Sequence, residues 1–292
     1  MMTWPGSRMC YAGVMSGSHG LLEVSVVAAA HNEQDNLPTL VDEIVAALDP
    51  TDIDYEILIV DDGSTDDTPN VLDNLLNNHP RLRAIRMLDT PPDSGHGQSA
   101  AFYAGFRAAH GNLIIPIDGD LQNDPADIPA MIALLKENNA DLVQGDRSAA
   151  RKDSLVRRVT SRVGRLFRRW LLGDTIRDTG CSLRVMKREI ALALPLEFRG
   201  IHRFIPVTAR QLGYNVIETP VNHRPRRAGR TNYGIWNRAI PGLIDCFAVR
   251  WMRKRRRPTE FRELDRSDPN RVSALKPGES AVHDHRPQET RQ

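Results

Sequence analysis

At 292 residues, with 40% hydrophobic and 26% charged residues, the chain can bury one large α/β core or two small ones without disulfide or metal staples. Its three cysteines (Cys10, Cys181 and Cys246) are widely separated, which argues against a disulfide framework or zinc site and favours a reducing, cytoplasmic setting. The net charge of +2 conceals an asymmetry. Most acidic residues precede residue 146, whereas arginine and lysine cluster in 147–170 and 224–257, where they call for an anionic partner such as phosphate, a membrane surface or nucleic acid.

The two ends of the chain carry no apolar run of the kind that inserts into a membrane. Residues 1–20 are rich in glycine, serine and methionine, so we expect a disordered lead there and no signal peptide. No window along the chain reaches the roughly 18–20 apolar residues of a spanning helix. Residues 258–292 are polar and charged without apolar periodicity, which predicts a disordered tail.

Buried strands alternate with amphipathic helices along the first half of the chain. Strands are predicted at 21–30, 55–60, 83–88, 113–117 and 141–145, and helices at 36–48, 68–77, 98–109 and 125–138. The first two strands are continuous apolar runs, which is typical of strands covered on both faces. The alternation therefore predicts an α/β fold with a mainly parallel, Rossmann-like sheet and helices on both of its faces.

Polar residues follow four of the predicted strands, at 31–33, 61–62, 118–120 and 145–147. Parallel strands end at the same edge of a sheet, and ligands of such sheets gather at that edge. We therefore expect the four polar segments to line a single pocket.

The segment Asp118-Gly119-Asp120-Leu121-Gln122 is the strongest candidate for a metal site. Asp118, Asp120 and Gln122 place three oxygens on one side of the chain if the extended geometry of the strand continues. Mg²⁺ is usually held by few protein oxygens, with water and substrate phosphates completing its coordination. The alternative is a polar turn, because two aspartates at this spacing occur often by chance. The buried strand before the segment and Pro125 after it favour the metal site.

After residue 151 the composition of the chain becomes basic. A basic amphipathic helix is predicted at 154–172, followed by a loop entering a strand at 176–186, a helix at 201–212 and a strand at 215–221. No nucleic-acid-binding motif or interleaved aromatic residues accompany the arginines, so nucleic acid is not an expected partner.

A last helix, at residues 240–252, precedes the basic run 253–257. One of its faces carries four large apolar side chains: Leu243, Ile244, Phe247 and Trp251. An apolar face with a tryptophan beside a basic cluster is typical of a helix that lies in an anionic membrane interface. The alternative is a helix packed on the core with a solvated basic end.

Seven short motifs occur in order along residues 21–234. They are 26–33 (VVAAAHNE), 57–65 (ILIVDDGST), 97–111 (GQSAAFYAGFRAAHG), 117–125 (IDGDLQNDP), 143–147 (VQGDR), 178–184 (DTGCSLR) and 226–233 (RRAGRTNY). In this order they resemble the inverting family 2 glycosyltransferases of the GT-A fold, in the branch that transfers sugars to dolichyl or polyprenyl phosphate. Ala29 and His31 stand where the family usually has proline and tyrosine, which leaves the details of base recognition open.

The resemblance implies a donor side and a metal at the strand ends. The residues implied to bind the nucleotide sugar are Glu33, Asp61, Asp62, Gly97 and Asp118. Those implied to hold Mg²⁺ or Mn²⁺ and the diphosphate are Asp118, Asp120 and Gln122, with Asp120 as a catalytic group. For the segment that begins at Asp62, the alternative is a simple turn with a helix cap.

On the acceptor side, the candidate contacts with a phosphate are Arg147, Arg158, Ser161, Arg226, Arg230 and Tyr233. Arginine makes rigid bidentate contacts with phosphate, although any single arginine is as readily a solvated surface charge. Asp178 lies where GT-A enzymes place a general base, and it is the second implied catalytic residue. A phosphate acceptor is already ionised and needs no base, so Asp178 has the alternative role of orienting an arginine or a metal-bound water.

The expected function is transfer of a sugar, with inversion, from a UDP- or GDP-sugar to a polyprenyl phosphate. The expected domains are a GT-A domain at 21–234 and a membrane-interface helix at 235–257, attached peripherally to the cytoplasmic face of the inner membrane. Two alternatives stay open: a saccharide or protein hydroxyl as acceptor, and a membrane-associated scaffold without activity.

Overall fold

The computed structural model describes residues 22–91, 94–148, 155–225 and 235–257, with the side chains of 155–161 and 235–240 left aside. The strands are β1 (Val24–Ala30), β2 (Tyr55–Asp61), β3 (Leu82–Arg86), β4 (Leu113–Asp118), β5 (Leu142–Asp146), β6 (Arg184–Lys187) and β7 (Val216–Pro220). The α-helices are α1 (Leu37–Leu48), α2 (Thr68–Asn78), α3 (Gln98–Ala108), α4 (Ile128–Glu137), α5 (Leu155–Leu172), α6 (Arg188–Ala193), α7 (Ile205–Gln211) and α8 (Ile235–Arg255). Two 3-10 turns, Pro125–Asp127 and Ile201–Phe204, precede α4 and α7.

The strands form one sheet in the order β3-β2-β1-β4-β6-β5-β7. β1 lies between β2 and β4 and is parallel to both, while β3 is parallel to β2 and β7 is parallel to β5. Only β6, among the described strands, runs antiparallel to its neighbours. The predicted α/β fold with a mainly parallel sheet is confirmed.

The alternation of side chains along β1 distributes the core between the two faces of the sheet. Val26 and Ala28 pack with α1, α2 and α4 on one face, whereas Val27 packs with α3, α6 and α7 on the other. Both faces are covered, which explains why β1 and β2 are continuous apolar runs.

Helix α3 lies unusually close to the sheet because its sequence is rich in small residues. A Cβ atom placed on Gly105 would come within 2.5 Å of Val27 Cγ1 and 2.9 Å of Val60 Cγ2. Any larger residue at this position would lift the helix off β1 and β2. The small-residue pattern of residues 97–111 therefore fixes the position of α3.

The predicted helix at 201–212 divides into the 3-10 turn Ile201–Phe204 and α7. Helix α8 buries Cys246 and Val249 in the same core as α7. The described residues up to Lys254 belong to one compact unit, and a second unit, Arg255–Gln292, is described only at 255–257. The predicted lead at 1–20 and tail at 258–292 fall outside the described residues. Among the helices that the structure describes, none is both long and apolar enough to cross a membrane.

Candidate active site

The structure brings the carboxyl ends of β1, β2, β4 and β5 to one edge of the sheet. β1 is parallel to β2 and β4, and β6 is antiparallel to both β4 and β5, so β5 points the same way as β4. The polar segments predicted to line a single pocket therefore follow strands that end on the same side.

Asp61, the last residue of β2, and Asp62, which follows it, are both buried and accept hydrogen bonds from backbone amides. Asp61 Oδ1 accepts a hydrogen bond from the Ser64 amide at 2.9 Å, which closes the turn after the strand. Asp62 accepts from two amides across a longer gap in sequence, that of His96 at 2.9 Å and that of Gly97 at 2.6 Å. Asp61 thus closes the turn, while Asp62 joins β2 to the segment before α3.

Gly95 and Gly97 both have a left-handed backbone, with φ of +58° and +92°. A Cβ atom on Gly95 would lie 2.4 Å from Asp62 Oδ2, so the glycine is required there by the carboxylate. Gly97 differs, because a Cβ atom there would meet nothing within 4 Å. The space beside Gly97 is compatible with the predicted close approach of a nucleotide to the backbone.

Glu33 adjoins the acidic segment, since a Cβ atom on Gly119 would lie 3.3 Å from Glu33 Cγ. Its Oε2 accepts a hydrogen bond from Asn36 Nδ2 at 2.6 Å. The preceding Asn32, part of the polar segment 31–33, has φ of +59°, and its Oδ1 accepts a hydrogen bond from the Thr65 amide at 2.8 Å. An asparagine two residues after the end of β1 suits this turn, because asparagine tolerates the left-handed region.

The acidic segment after β4 contains a left-handed residue, Leu121, with φ of +60°. Leucine adopts this conformation at a cost of about 1–2 kcal/mol, and burial of its side chain offsets the cost here. Asp120 Oδ1 accepts from the Gln122 amide at 3.2 Å, which tightens the turn. The segment is therefore a fixed turn at the sheet edge.

Asp118 and Asp120 lie close enough for their charges to interact. Burial raises the pKa of the Asp118 carboxyl, and the negative charge of Asp120 raises it further. Three neighbouring side chains oppose this rise and lower the pKa of Asp118: Ser182, Arg147 and Gln98. Two carboxylates that repel each other in a half-buried site would be stabilised by a shared cation.

The donor set at this turn fits Mg²⁺ or Mn²⁺ better than a metal that needs a complete protein cage. Among the described residues, no group of three or more histidine, cysteine, aspartate or glutamate side chains could hold a metal by itself. The two carboxylates and the Gln122 side chain, which are predicted ligands, would supply hard oxygen atoms, and substrate phosphates would complete the coordination.

Arg147 and Asp178 form a buried pair at the end of β5. Arg147 Nε lies 2.8 Å from Asp178 Oδ2, and Nη2 lies 3.2 Å from Oδ1. The amides of Arg147 and Gly180 also donate to this carboxylate, at 3.3 Å and 3.1 Å. Both carboxylate oxygens of Asp178 are thus engaged by donors, and the guanidinium is held rigidly.

Two further residues near these groups were not predicted from the sequence: Arg184, which is buried, and His202, which is half-buried. Arg184 donates to the carbonyls of Ser182, at 3.1 Å, and His202, at 3.2 Å. Burial lowers the pKa of Arg184 to about 10, so it remains a cation at neutral pH. His202 Nδ1 lies 2.8 Å from Ser99 Oγ, and burial followed by the charges of nearby arginines lowers its pKa to about 3.

The remaining candidates for acceptor-phosphate contacts stay predictions. Arg158 and Ser161 fall on α5, where the structure describes the backbone but not these side chains. Arg226, Arg230 and Tyr233 lie outside the described residues.

Helices α5 and α8 share an exposed apolar surface. Of the eleven large hydrophobic side chains exposed among the described residues, seven lie on these two helices: Val163, Leu166, Trp170, Leu243, Ile244, Phe247 and Trp251. The half-buried Phe167 joins the two sets, because its ring centroid lies 6.0 Å from that of Trp170 and 5.9 Å from that of Phe247. We call these seven side chains the α5–α8 surface.

Sequence comparison finds relatives over most of the chain. Residues 25–194 match the family model described as Glycosyl transferase family 2. Proteins named undecaprenyl-phosphate 4-deoxy-4-formamido-L-arabinose transferase, from Yersinia enterocolitica and Yersinia pestis, are each 35% identical over 237 residues. These alignments cover 80% of this chain and 70% of the relatives.

Solved structures share the fold. Glucosyl-3-phosphoglycerate synthase from Mycobacterium tuberculosis, solved with Mn²⁺, UDP-glucose and phosphoglyceric acid, aligns with a TM-score of 0.59 at 22% identity, covering 78% of this chain and 79% of that one. A mannosyltransferase from Pyrobaculum calidifontis, solved with GDP-Man and Mn²⁺, aligns with a TM-score of 0.58 at 20% identity, covering 81% and 66%. The sheet is that of the GT-A fold, and the chain belongs to glycosyl transferase family 2.

Proposed function

We propose that the protein transfers a sugar, with inversion, from a UDP- or GDP-linked donor to a polyprenyl phosphate at a membrane surface. The observation that carries this proposal is the pairing of Arg147 with Asp178 beside the Asp118 carboxylate. A rigid cation next to the acid pair suits an anionic acceptor. The relatives named as undecaprenyl-phosphate transferases support the same acceptor class.

The proposed reaction forms a bond between an acceptor phosphate oxygen and the anomeric carbon of the sugar. The bond from that carbon to the diphosphate breaks, and its electron pair leaves with the nucleoside diphosphate. An ionised phosphate needs no base to attack. Because Asp178 is already engaged by Arg147 and two amides, its geometry supports the orienting role over the general-base role.

On the donor side, Asp118, Asp120 and Gln122 would hold Mg²⁺ or Mn²⁺. When bound, the cation would offset the charge that grows on the departing diphosphate. Glu33 and Gly97, which border this turn and the start of α3, are the proposed contacts with the nucleotide. Asp61 and Asp62 would shape the donor pocket through the backbone amides that they hold.

The α5–α8 surface supports peripheral attachment to a membrane. Arg162, Arg165 and Arg169 lie along α5 beside its exposed apolar residues, and Arg253 and Lys254 lie in the last turn of α8. An apolar surface flanked by cations is suited to a bilayer with anionic headgroups. We propose that the protein binds there at the cytoplasmic face, where a lipid-linked acceptor would be presented.

The test is a transfer assay with the full chain, Mn²⁺, UDP- and GDP-sugars and undecaprenyl phosphate in mixed micelles, read by mass spectrometry of the lipid fraction. A glycosylated lipid phosphate is the expected product. Transfer only to added saccharide or peptide hydroxyls would overturn the acceptor class. Failure of every nucleotide sugar to bind with Mn²⁺, measured by thermal shift, would overturn the enzymatic function and favour a scaffold.

A further inference from the structure

Helix α3 reaches the acid pair directly through its first residue. Gln98 Nε2 donates a hydrogen bond to Asp118 Oδ1. Ser182 lies near the same carboxylate and lowers its pKa, and Asn123 Nδ2 donates to Ser182 Oγ at 2.8 Å. Gln98 is thus the side chain that donates a hydrogen bond to Asp118, with Ser182 close by.

The start of α3 is held in turn by Asp62. Its two carboxylate oxygens accept from the His96 and Gly97 amides, and the left-handed Gly95 lets the segment pass against the carboxylate. His96 Nε2 adds a contact of 3.0 Å with the Leu88 carbonyl. The residue before Gln98 is therefore fixed to the end of β2.

The body of α3 cannot shift to compensate for a change at its start. Gly105 rests against Val27 and Val60 with no room for a Cβ atom, and Ser99 Oγ lies 2.8 Å from His202 Nδ1. With the helix immobilised at Gly105 and Gly97, the position of the Gln98 amide is set by the backbone. Its contact with Asp118 is preorganised.

We propose that Asp62 and Gln98 are positioning residues for the metal site, linked in series. Asp62 fixes the segment 95–97, which sets Gln98, and Gln98 holds one oxygen of Asp118 so that the carboxylate faces the cation. Neither residue needs to touch the donor. The inference rests on the proposed function, because it assumes that Asp118 and Asp120 hold Mg²⁺ or Mn²⁺. Removal of a residue that hydrogen-bonds to a metal ligand typically lowers metal affinity about 10–100-fold.

The first test replaces Gln98 by Met, which keeps the length and helix propensity of the side chain but removes the donor. Mn²⁺ binding is followed through the electron paramagnetic resonance signal of the free ion, with UDP or GDP at saturation. We expect affinity to fall about tenfold while the circular dichroism spectrum stays that of the folded wild type. Arg107→Met, an exposed position on the same helix, is the matched control and should bind Mn²⁺ like the wild type.

The second test separates positioning from nucleotide contact. Asp62→Asn exchanges one acceptor for a donor facing an amide, so we expect weaker Mn²⁺ binding both with and without nucleotide. In the Asp62→Asn, Gln98→Met double variant, the losses should be less than multiplicative, because both residues act on one carboxylate. If the two losses of Mn²⁺ affinity multiply fully, Asp62 does not act through Gln98. A variant that loses nucleotide affinity without any change in Mn²⁺ affinity would likewise contradict the proposed positioning role.

The outcomes also distinguish this inference from the function on which it rests. A wild-type protein that binds no Mn²⁺ with any nucleotide overturns both. A wild-type protein that binds Mn²⁺, together with a Gln98→Met variant that binds it equally well, overturns the positioning role alone.

Discussion

The guanidinium of Arg147 donates to both carboxylate oxygens of Asp178 at 2.8 Å and 3.2 Å, and fewer than a tenth of either residue is exposed. The two residues are 31 positions apart in sequence, at the end of β5 and in the segment before β6. Bidentate pairing fixes the plane of the guanidinium, which is the condition for directed recognition of a phosphate. The pair connects Asp178, the implied general base, with Arg147, an implied contact of the acceptor phosphate.

Asp178→Asn should weaken binding of the acceptor phosphate rather than abolish sugar transfer. With one oxygen replaced by an amide, Arg147 loses its fixed plane, so we expect the KM for undecaprenyl phosphate to rise about tenfold with a smaller fall in kcat. Steady-state kinetics with the acceptor varied would measure both. Asp174→Asn, which alters a separate aspartate–arginine pair with Arg168, controls for general structural loss. A loss confined to kcat would instead indicate a general base.

Asp120→Asn should eliminate transfer while leaving the fold intact. The substitution removes one of the two carboxylates proposed to hold the cation, so we expect activity to fall by about a thousandfold or more. Transfer assays and circular dichroism would be compared with Asp124→Asn, four residues further on, whose carboxylate pairs with Arg224. Wild-type activity in Asp120→Asn would refute the metal assignment.

Trp170→Ser and Trp251→Ser should each reduce binding to vesicles that contain anionic phospholipid. Both indoles are mostly exposed, and burying one in a bilayer interface is worth enough to change the partition coefficient about tenfold. Co-sedimentation with vesicles would measure this, and wild-type binding should weaken as salt is added. Leu88→Ser, at an 80% exposed position outside α5 and α8, is the control. An equal loss of vesicle binding in all three variants would argue against the α5–α8 surface as the membrane-binding surface.

His202 should make the folded protein less stable in mild acid. Its folded pKa of about 3 lies below the ordinary value of 6.5, so its contribution is complete above pH 6.5 and is lost as the pH falls toward 3. The free energy of unfolding should decline by up to about 1.4 kcal/mol per pH unit in this window. Urea unfolding would measure the free energy of unfolding at pH 5 and pH 7, and the difference between the two should be smaller in His202→Asn than in the wild type. An equal difference in the two proteins would contradict a lowered pKa for His202.

Patterns local in sequence were sufficient to predict the fold. Apolar runs marked β1 and β2, and small residues marked the helix that lies closest to the sheet. The antiparallel direction of β6 was not predictable in this way, because strand direction depends on where the intervening loop returns. That direction matters, since the segment before β6 supplies Ser182 and Asp178.

The sequence by itself determined that acidic and basic side chains follow parallel strands, because the carboxyl ends of such strands must share one edge. Only the tertiary structure decided what each side chain does. Asp62 bonds to amides 34 and 35 positions later, and Gln98 bonds to Asp118 twenty positions away. The physical reason is that burial obliges polar groups to find partners, and packing of distant segments determines which partners are within reach.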